Sequence, residues 1–320
     1  MRSFLKALLG SAAIVLAGHA FAQQYPTRPI QIVLTAGPGS SADIVARIVG
    51  DELGRQLGQP IIVDNRPGAG GNIAAEIVAK APADGYTLLV ATTSTHGINP
   101  SLYKTMRFDP VADFAPIMLL TMSPDVLVVS SKSRFKSVAD IIAAGKSGEL
   151  TYSSGGSGTT QHIAGQVFAE ATGAKVIHVP YKSAPQAMNA VLSGDVDMSF
   201  VSAPVAMVQA KANTVRAFGV TSARTLAMWP EMPPLATQGL KDFDVSAWFG
   251  LVAPAKTPQP VLDKLYQGLT KTMQNPEVQR KLQAQGMVIV AGTPDQFRKF
   301  IRSEIDRWAP VVRASGAKVD

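Results

Sequence analysis

Five times along this 320-residue chain, a short aliphatic run gives way to a loop of small residues that opens a helical pattern. IQIVL leads into GPGSS at 37–41; PIIVD leads into NRPGAGGN at 65–72; YTLLVA leads into TTSTHGINP at 92–100; LTY leads into SSGGSGTTQH at 153–162; MSFV leads into SAPVAM at 202–207. A strand that turns into a helix meets its next strand through a crossover, not a hairpin, and repeated crossovers build a parallel α/β sheet. Candidate strands lie at 30–34, 61–63, 87–91, 126–129, 150–153, 176–179, 198–201, 215–220, 247–252 and 288–290, with helical stretches at 137–144, 160–171 and 185–192. The last third turns more helical. Leu262, Leu265, Tyr266, Leu269 and Met273 form one apolar stripe, and Phe297, Phe300, Ile301, Ile305 and Trp308 form another, both spaced for core packing. Asn275-Pro276 and Thr293-Pro294-Asp295-Gln296 read as helix starts.

Loops of this kind leave the first amide hydrogens of a helix unpaired, at the positive end of its dipole. Glycine permits close backbone approach, and serine or threonine adds hydroxyl donors. The combination suits an anion or an acceptor-rich ligand, held where an open α/β sheet gathers its loops, at the carboxyl ends of the strands. The candidate ligand-binding residues are therefore Gly37, Pro38, Gly39, Ser40 and Ser41; Thr92, Ser94 and His96; Ser154, Gly155, Gly156, Ser157, Gly158, Thr159 and His162; and Ser202 and Ala203. Simpler readings stand beside these. Asp43 reads as a helix cap, residues 65–72 read equally well as a tight turn, and His162 either touches a ligand or lines the cleft. His178, at a strand end before Pro180, reads as structural.

Gly37-x-Gly39-x-x-Ala42 also fits the dinucleotide fingerprint, and Asp64 closes the next apolar run about where a ribose-binding acid belongs. An NAD-dependent oxidoreductase is thus the alternative function. Pro38 inside the turn counts against it, and so does the start of the chain. Arg2 and Lys6 precede an apolar, small-residue stretch at 7–17 that ends in Ala20-Phe21-Ala22. This reads as a signal peptide, residues 1–22, cleaved after Ala22, and the periplasm does not supply a nicotinamide cofactor to a chain exported unfolded.

Other chemistries fare no better. Gly155-Gly156-Ser157-Gly158-Thr159 lacks the last glycine of a nucleophile elbow. No cysteine, P-loop or H-E-x-x-H occurs in the sequence, so no catalytic residue, metal or cofactor is expected. The absence of cysteine also means stability rests on burial without disulfides, for which a hydrophobic content of 46% suffices. The formal charge of +7 becomes +5 once Arg2 and Lys6 leave. Basic residues are scattered without a run of five, which does not make a nucleic-acid surface.

Read together, YPTRPIQIVLTAGPGSSADIVAR, DNRPGAGGNIAAEIVAKAPADGYTLL, HGINPSLYKTMRFDPVADFAPI, SSGGSGTTQHIAG, VIHVPYKSAPQAMNAVLSGDVDMSF and VSAWFGLVAPAKTP resemble the tripartite tricarboxylate transporter solute-binding, or Bug, family over essentially the whole mature chain. The resemblance implies a two-domain α/β periplasmic-binding-protein fold of the type II, Venus-flytrap kind, with the ligand in a cleft between the domains. It implies residues 23–122 plus 253–320 as one domain and 123–252 as the other. It further implies a monomer that captures a small carboxylate for tripartite-type permease subunits, or for sensing, gripping it through residues 37–41 and 154–159. Two departures stand out. Pro38 removes an amide donor where many members carry glycine, and Ser202-Ala203 follow Phe200-Val201 where many members carry an acid or amide. With Asp43 the one acid in these loops, the expected ligand is a carboxylate without an α-ammonium.

Overall fold

The computed structural model describes residues 25–316 and residue 319; the expected signal peptide and its cleavage site lie outside them. In chain order the main elements are β1 (Ile30–Leu34), α1 (Ser41–Leu57), β2 (Ile61–Asn65), α2 (Asn72–Ala79), β3 (Thr87–Thr92), α3 (Asn99–Leu102), β4 (Phe114–Ser130), α4 (Val138–Ser147), β5 (Glu149–Ser154), α5 (Thr160–Thr172) and β6 (Lys175–Pro180). There follow α6 (Ala184–Ser193), β7 (Met198–Ser202), α7 (Ala203–Lys211), β8 (Val215–Val220), β9 (Ser246–Pro254), α8 (Gln259–Gln274), α9 (Pro276–Ala284), β10 (Val288–Ile289) and α10 (Pro294–Ala314).

Each expected strand is present, and β4 extends furthest beyond the run the sequence marked. β4 runs for 17 residues through two sheets. Its first part pairs antiparallel with β9 and β10, beside the parallel set β2-β1-β3. From Asp125 onward it pairs antiparallel with β7 and β8, beside the parallel set β7-β5-β6. Pro116 and Pro124 make the stretch read as broken, because proline cannot donate to a ladder. Here Pro116 sits at a register shift against β9, and Pro124 pairs with Ser246 at the end of that ladder. The return crossing lies ahead of Ser246, since β9 pairs in the first sheet from that residue onward.

Strand alternation explains why both sheets carry helices on both faces. Ile30, Ile32 and Leu34 of β1 join a core with α1, α8 and α9, while Val33 joins the core under α2 and α10. In the second sheet Leu127 and Val129 face α4 and α5, while Val126 and Val128 face α6 and α7. A strand buried on both faces reads as a continuous apolar run, as IQIVL and VLVV do. α10 joins the two halves. Its Phe297 and Ile301 pack in the first-sheet core, and Trp308 and Val312 pack in the second.

Candidate functional site

Between the two sheets lies a cavity of about 680 Å³. Its first-sheet wall is the loop after β1: Gly37, Pro38, Gly39, Ser40 and Ser41 all line it. This loop is held from behind. Asp43 accepts the Gly39 amide at 2.9 Å, the Arg47 Nε at 3.0 Å and the Asn65 Nδ2 at 3.1 Å, and Asn65 also donates to the Ala36 carbonyl. The Arg47 guanidinium keeps the Asp43 carboxyl below its ordinary range. Ser40 caps α1 through the Asp43 amide. Asp43 is thus the organiser of the turn, and its charge is spent on Arg47. The amides of Ser41 and Ala42, the first of α1, have no acceptor among the described residues, as a helix start provides.

The second-sheet wall brings more helix starts to the same space. Ser154 ends β5 and Gly155 follows it, Ser183, Ala184 and Pro185 open α6, and Ser202 precedes α7; all line the cavity. Ser202 makes no capping hydrogen bond with its side chain, which leaves its hydroxyl for a guest. Gln161 of α5 also lines the cavity, as do the apolar Met188, Leu192, Phe200, Val201 and Val205. No lining residue is charged. The arrangement offers uncharged donors at helix N-termini on both walls, with an apolar bed in the second-sheet wall, which suits a small anion with a hydrocarbon body.

The remaining expected residues lie outside this lining. Gly156, Ser157, Gly158, Thr159 and His162 are not among the lining residues. Thr159 caps α5 through the His162 amide. Gly158 turns toward the first sheet, where its carbonyl accepts the Ser94 hydroxyl at 3.2 Å, and its amide donates to His162 Nδ1. Behind the wall, the His162 ring stacks on His178 with centroids 4.1 Å apart, and His178 Nε2 meets Ser154 Oγ at 2.6 Å. His178, read from sequence as structural, therefore braces a cavity residue. Burial pushes both imidazoles down to about 4, so both are neutral near pH 7.

The third loop also stays out of the lining. Thr92 bonds with Thr95. His96 is fully enclosed, with Nδ1 on the Thr95 hydroxyl and its ring edge-on to Phe114. Ser94 bridges to the second sheet through Gly158. Ala203 is buried as the first residue of α7. The loop at 65–72 is the tight turn of the simpler reading: a side chain at Gly71, where φ is 92°, would run into Thr35 and Thr95.

Sequence reasoning missed the start of α6 and Gln161. The signal for the first was present, since Ser183-Ala184-Pro185-Gln186 is a serine cap with proline in the first turn and glutamine at its third position. Gln161 carried no signal, because which face of α5 turns to the cavity is settled by packing.

The chain matches, over residues 45–317, the family described as tripartite tricarboxylate transporter family receptor. It is 34% identical to protein BugT of Bordetella pertussis over 307 residues, covering 95% of this chain and 94% of that one. Its structure is similar to an R. palustris protein solved with adipate, at 30% identity and a TM-score of 0.84, covering 92% of this chain and all of the other. A Rhodopseudomonas palustris protein with bound malate aligns at 28% identity and a TM-score of 0.78, covering 90% of this chain and 100% of that one.

Proposed function

Since this chain belongs to the tripartite tricarboxylate transporter receptor family, whose members are solute-binding proteins with a periplasmic-binding-protein fold, we propose that its own solute is a small organic carboxylate held in the cavity between the two sheets. The observation that carries this is the convergence of the helix starts at Ser41, Ala184 and Ser202 on a cavity without a charged lining residue. Hydrogen bonds to a charged group contribute about 1.5–3 kcal/mol each. Three to five of them, less the cost of closure, reach the roughly −8 kcal/mol of a micromolar complex. An α-ammonium would face the positive ends of those same helices with no carboxylate in the lining, so the guest lacks one. The relatives solved with adipate and malate accord with this chemistry. The nicotinamide alternative loses its footing at Gly39, whose amide is already given to Asp43.

The two sheets act as the lobes of a clamp, with the crossings at the Pro124–Asp125 step and ahead of Ser246, so the second lobe ends short of the expected 252 because β9 pairs in the first sheet. The protein is exported to the periplasm by residues 1–22, works as a monomer, and delivers to permease subunits or reports to a sensor. The test is a thermal-shift screen of residues 23–320 against mono-, di- and tricarboxylates, with the methyl ester of each active acid as control. A bound acid at 100 times its dissociation constant stabilises by about 2.7 kcal/mol, and its ester does not. Stabilisation by esters equal to that by acids, or by NADH alone, refutes the carboxylate reading.

A further inference from the structure

Where β4 leaves the first sheet for the second stands Asp125, only 2% exposed. Its backbone is pinned on both sides of Thr221, whose Oγ1 accepts the Asp125 amide and whose amide donates to the Asp125 carbonyl, each at 2.8 Å. Its carboxylate has one described side-chain partner. Gln161 Nε2 reaches both oxygens, at 3.1 and 3.2 Å.

An ionised carboxylate only accepts hydrogen bonds. Facing one, the Gln161 carboxamide turns its NH2 inward and its oxygen the other way. That oxygen has no partner among the described residues, and it is absent from the buried atoms left unsatisfied, while Gln161 lines the cavity. A carboxamide oxygen is thereby held as an acceptor toward a cavity into which the helix starts present donors. The wall's helix starts disfavour a cation, so the complementary group is a neutral donor.

We propose that Asp125 is a positioning residue that holds the Gln161 carbonyl oxygen toward the cavity, so that the site selects a carboxylate bearing a hydroxyl over the same acid without one. This rests on the carboxylate reading above and goes further, to the ligand's second functional group. The groups facing Asp125 are Gln161 from α5, Ser202 across β7 and Thr221 after β8; no charged group contributes. Burial in this setting pushes the Asp125 carboxyl up to about 7. When protonated, it can donate to the Gln161 oxygen, and the carboxamide then turns its NH2 to the cavity. Hydroxyl selection therefore strengthens as pH rises from 6 to 8.

The experiment is calorimetry with three matched triads: malate, succinate and aspartate; lactate, propionate and alanine; 2-hydroxyglutarate, glutarate and glutamate. At pH 8 the hydroxy acid of every triad that binds is about tenfold tighter than the deoxy acid, and the ratio shrinks at pH 6. Asp125→Asn, nearly isosteric, lets the carboxamide turn either way and brings the two acids within about threefold at both pH values. In parallel, the Gln161 side-chain NH2 resonances of the unliganded protein shift with a midpoint near pH 7, and the shift vanishes in Asp125→Asn. Equal binding of hydroxy and deoxy acids, tightest binding of an amino acid, or an unchanged ratio in Asp125→Asn overturns the proposal. So does a screen in which other carboxylates stabilise the protein and no triad member binds. If no carboxylate binds, the underlying reading fails and this one falls with it, whereas flat Gln161 resonances refute the Asp125 coupling by itself.

Discussion

His96 shows how a residue chosen for one role is kept for another. Its loop opens a helix, but its ring is sealed against Phe114 and its Nε2 has no hydrogen-bond partner. Burial pushes it down to about 3. A histidine depressed in the folded state binds its proton only in the unfolded chain, so stability falls as pH drops from 6.5 toward 3. His162 and His178 act in the same sense down to about 4. Asp125 acts oppositely: raised by burial, it contributes stability fully below the unfolded carboxyl range and loses it as pH rises through 7. Urea unfolding between pH 6 and 4.5 should therefore show the wild type weakening, and His96→Gln weakening less by about 1.4 kcal/mol per pH unit. Asp125→Asn should weaken more steeply than wild type over the same range. A His96→Gln slope equal to that of wild type contradicts the buried neutral imidazole.

The elements formed largely as their local sequence dictates. The strand–loop–helix units at 30–57 and 149–172 begin and end close to where aliphatic runs, caps and glycines place them, because those signals act within a few residues. β4 is the exception. Whether FAPIMLLTMSPDVLVVS is one strand or two depends on β9, β7 and β8 arriving on its flanks, and no local pattern carries that information. β9 also depends on a distant partner. A methyl group added at Gly250 would overlap the Phe297 ring of α10, whose face is fully buried in the first-sheet core. Gly250→Ala should cost about 1–3 kcal/mol in chemical unfolding, the range for overpacking a closed core. Wild-type stability in that variant would show that α10 is free to shift.

On the scale of the whole molecule, the cavity exists because two sheets share β4 and face each other across it. The halves are joined by α10, whose Trp308 and Val312 pack with Ile98 and Leu102 in the second-sheet core and whose Trp308 indole donates to buried Glu304, and by Ser94, which donates to Gly158 across the divide. A solute held by both walls is sensitive to the second contact. For an acid found in the screen, Ser94→Ala should weaken binding roughly two- to tenfold, the worth of one neutral hydrogen bond. The melting temperature of the unliganded protein should change little. Unaltered affinity in Ser94→Ala would mean the bridge takes no part in holding the halves together around the solute.

The sequence by itself determined most of the elements, the α/β class and the family, because capping, periodicity and glycine placement are short-range and leave local marks. It also located one wall at residues 37–41 and part of the other at Ser154, Gly155 and Ser202. Only the tertiary structure decided which loops meet. It sent His96 into a core, Gly158 to the bridge and Thr159 to a helix cap, and it brought the start of α6 and Gln161 to the cavity, with Asp125 held behind Gln161. Those outcomes depend on strand order and on which helix face is buried, and both are fixed by contacts between residues far apart in the chain.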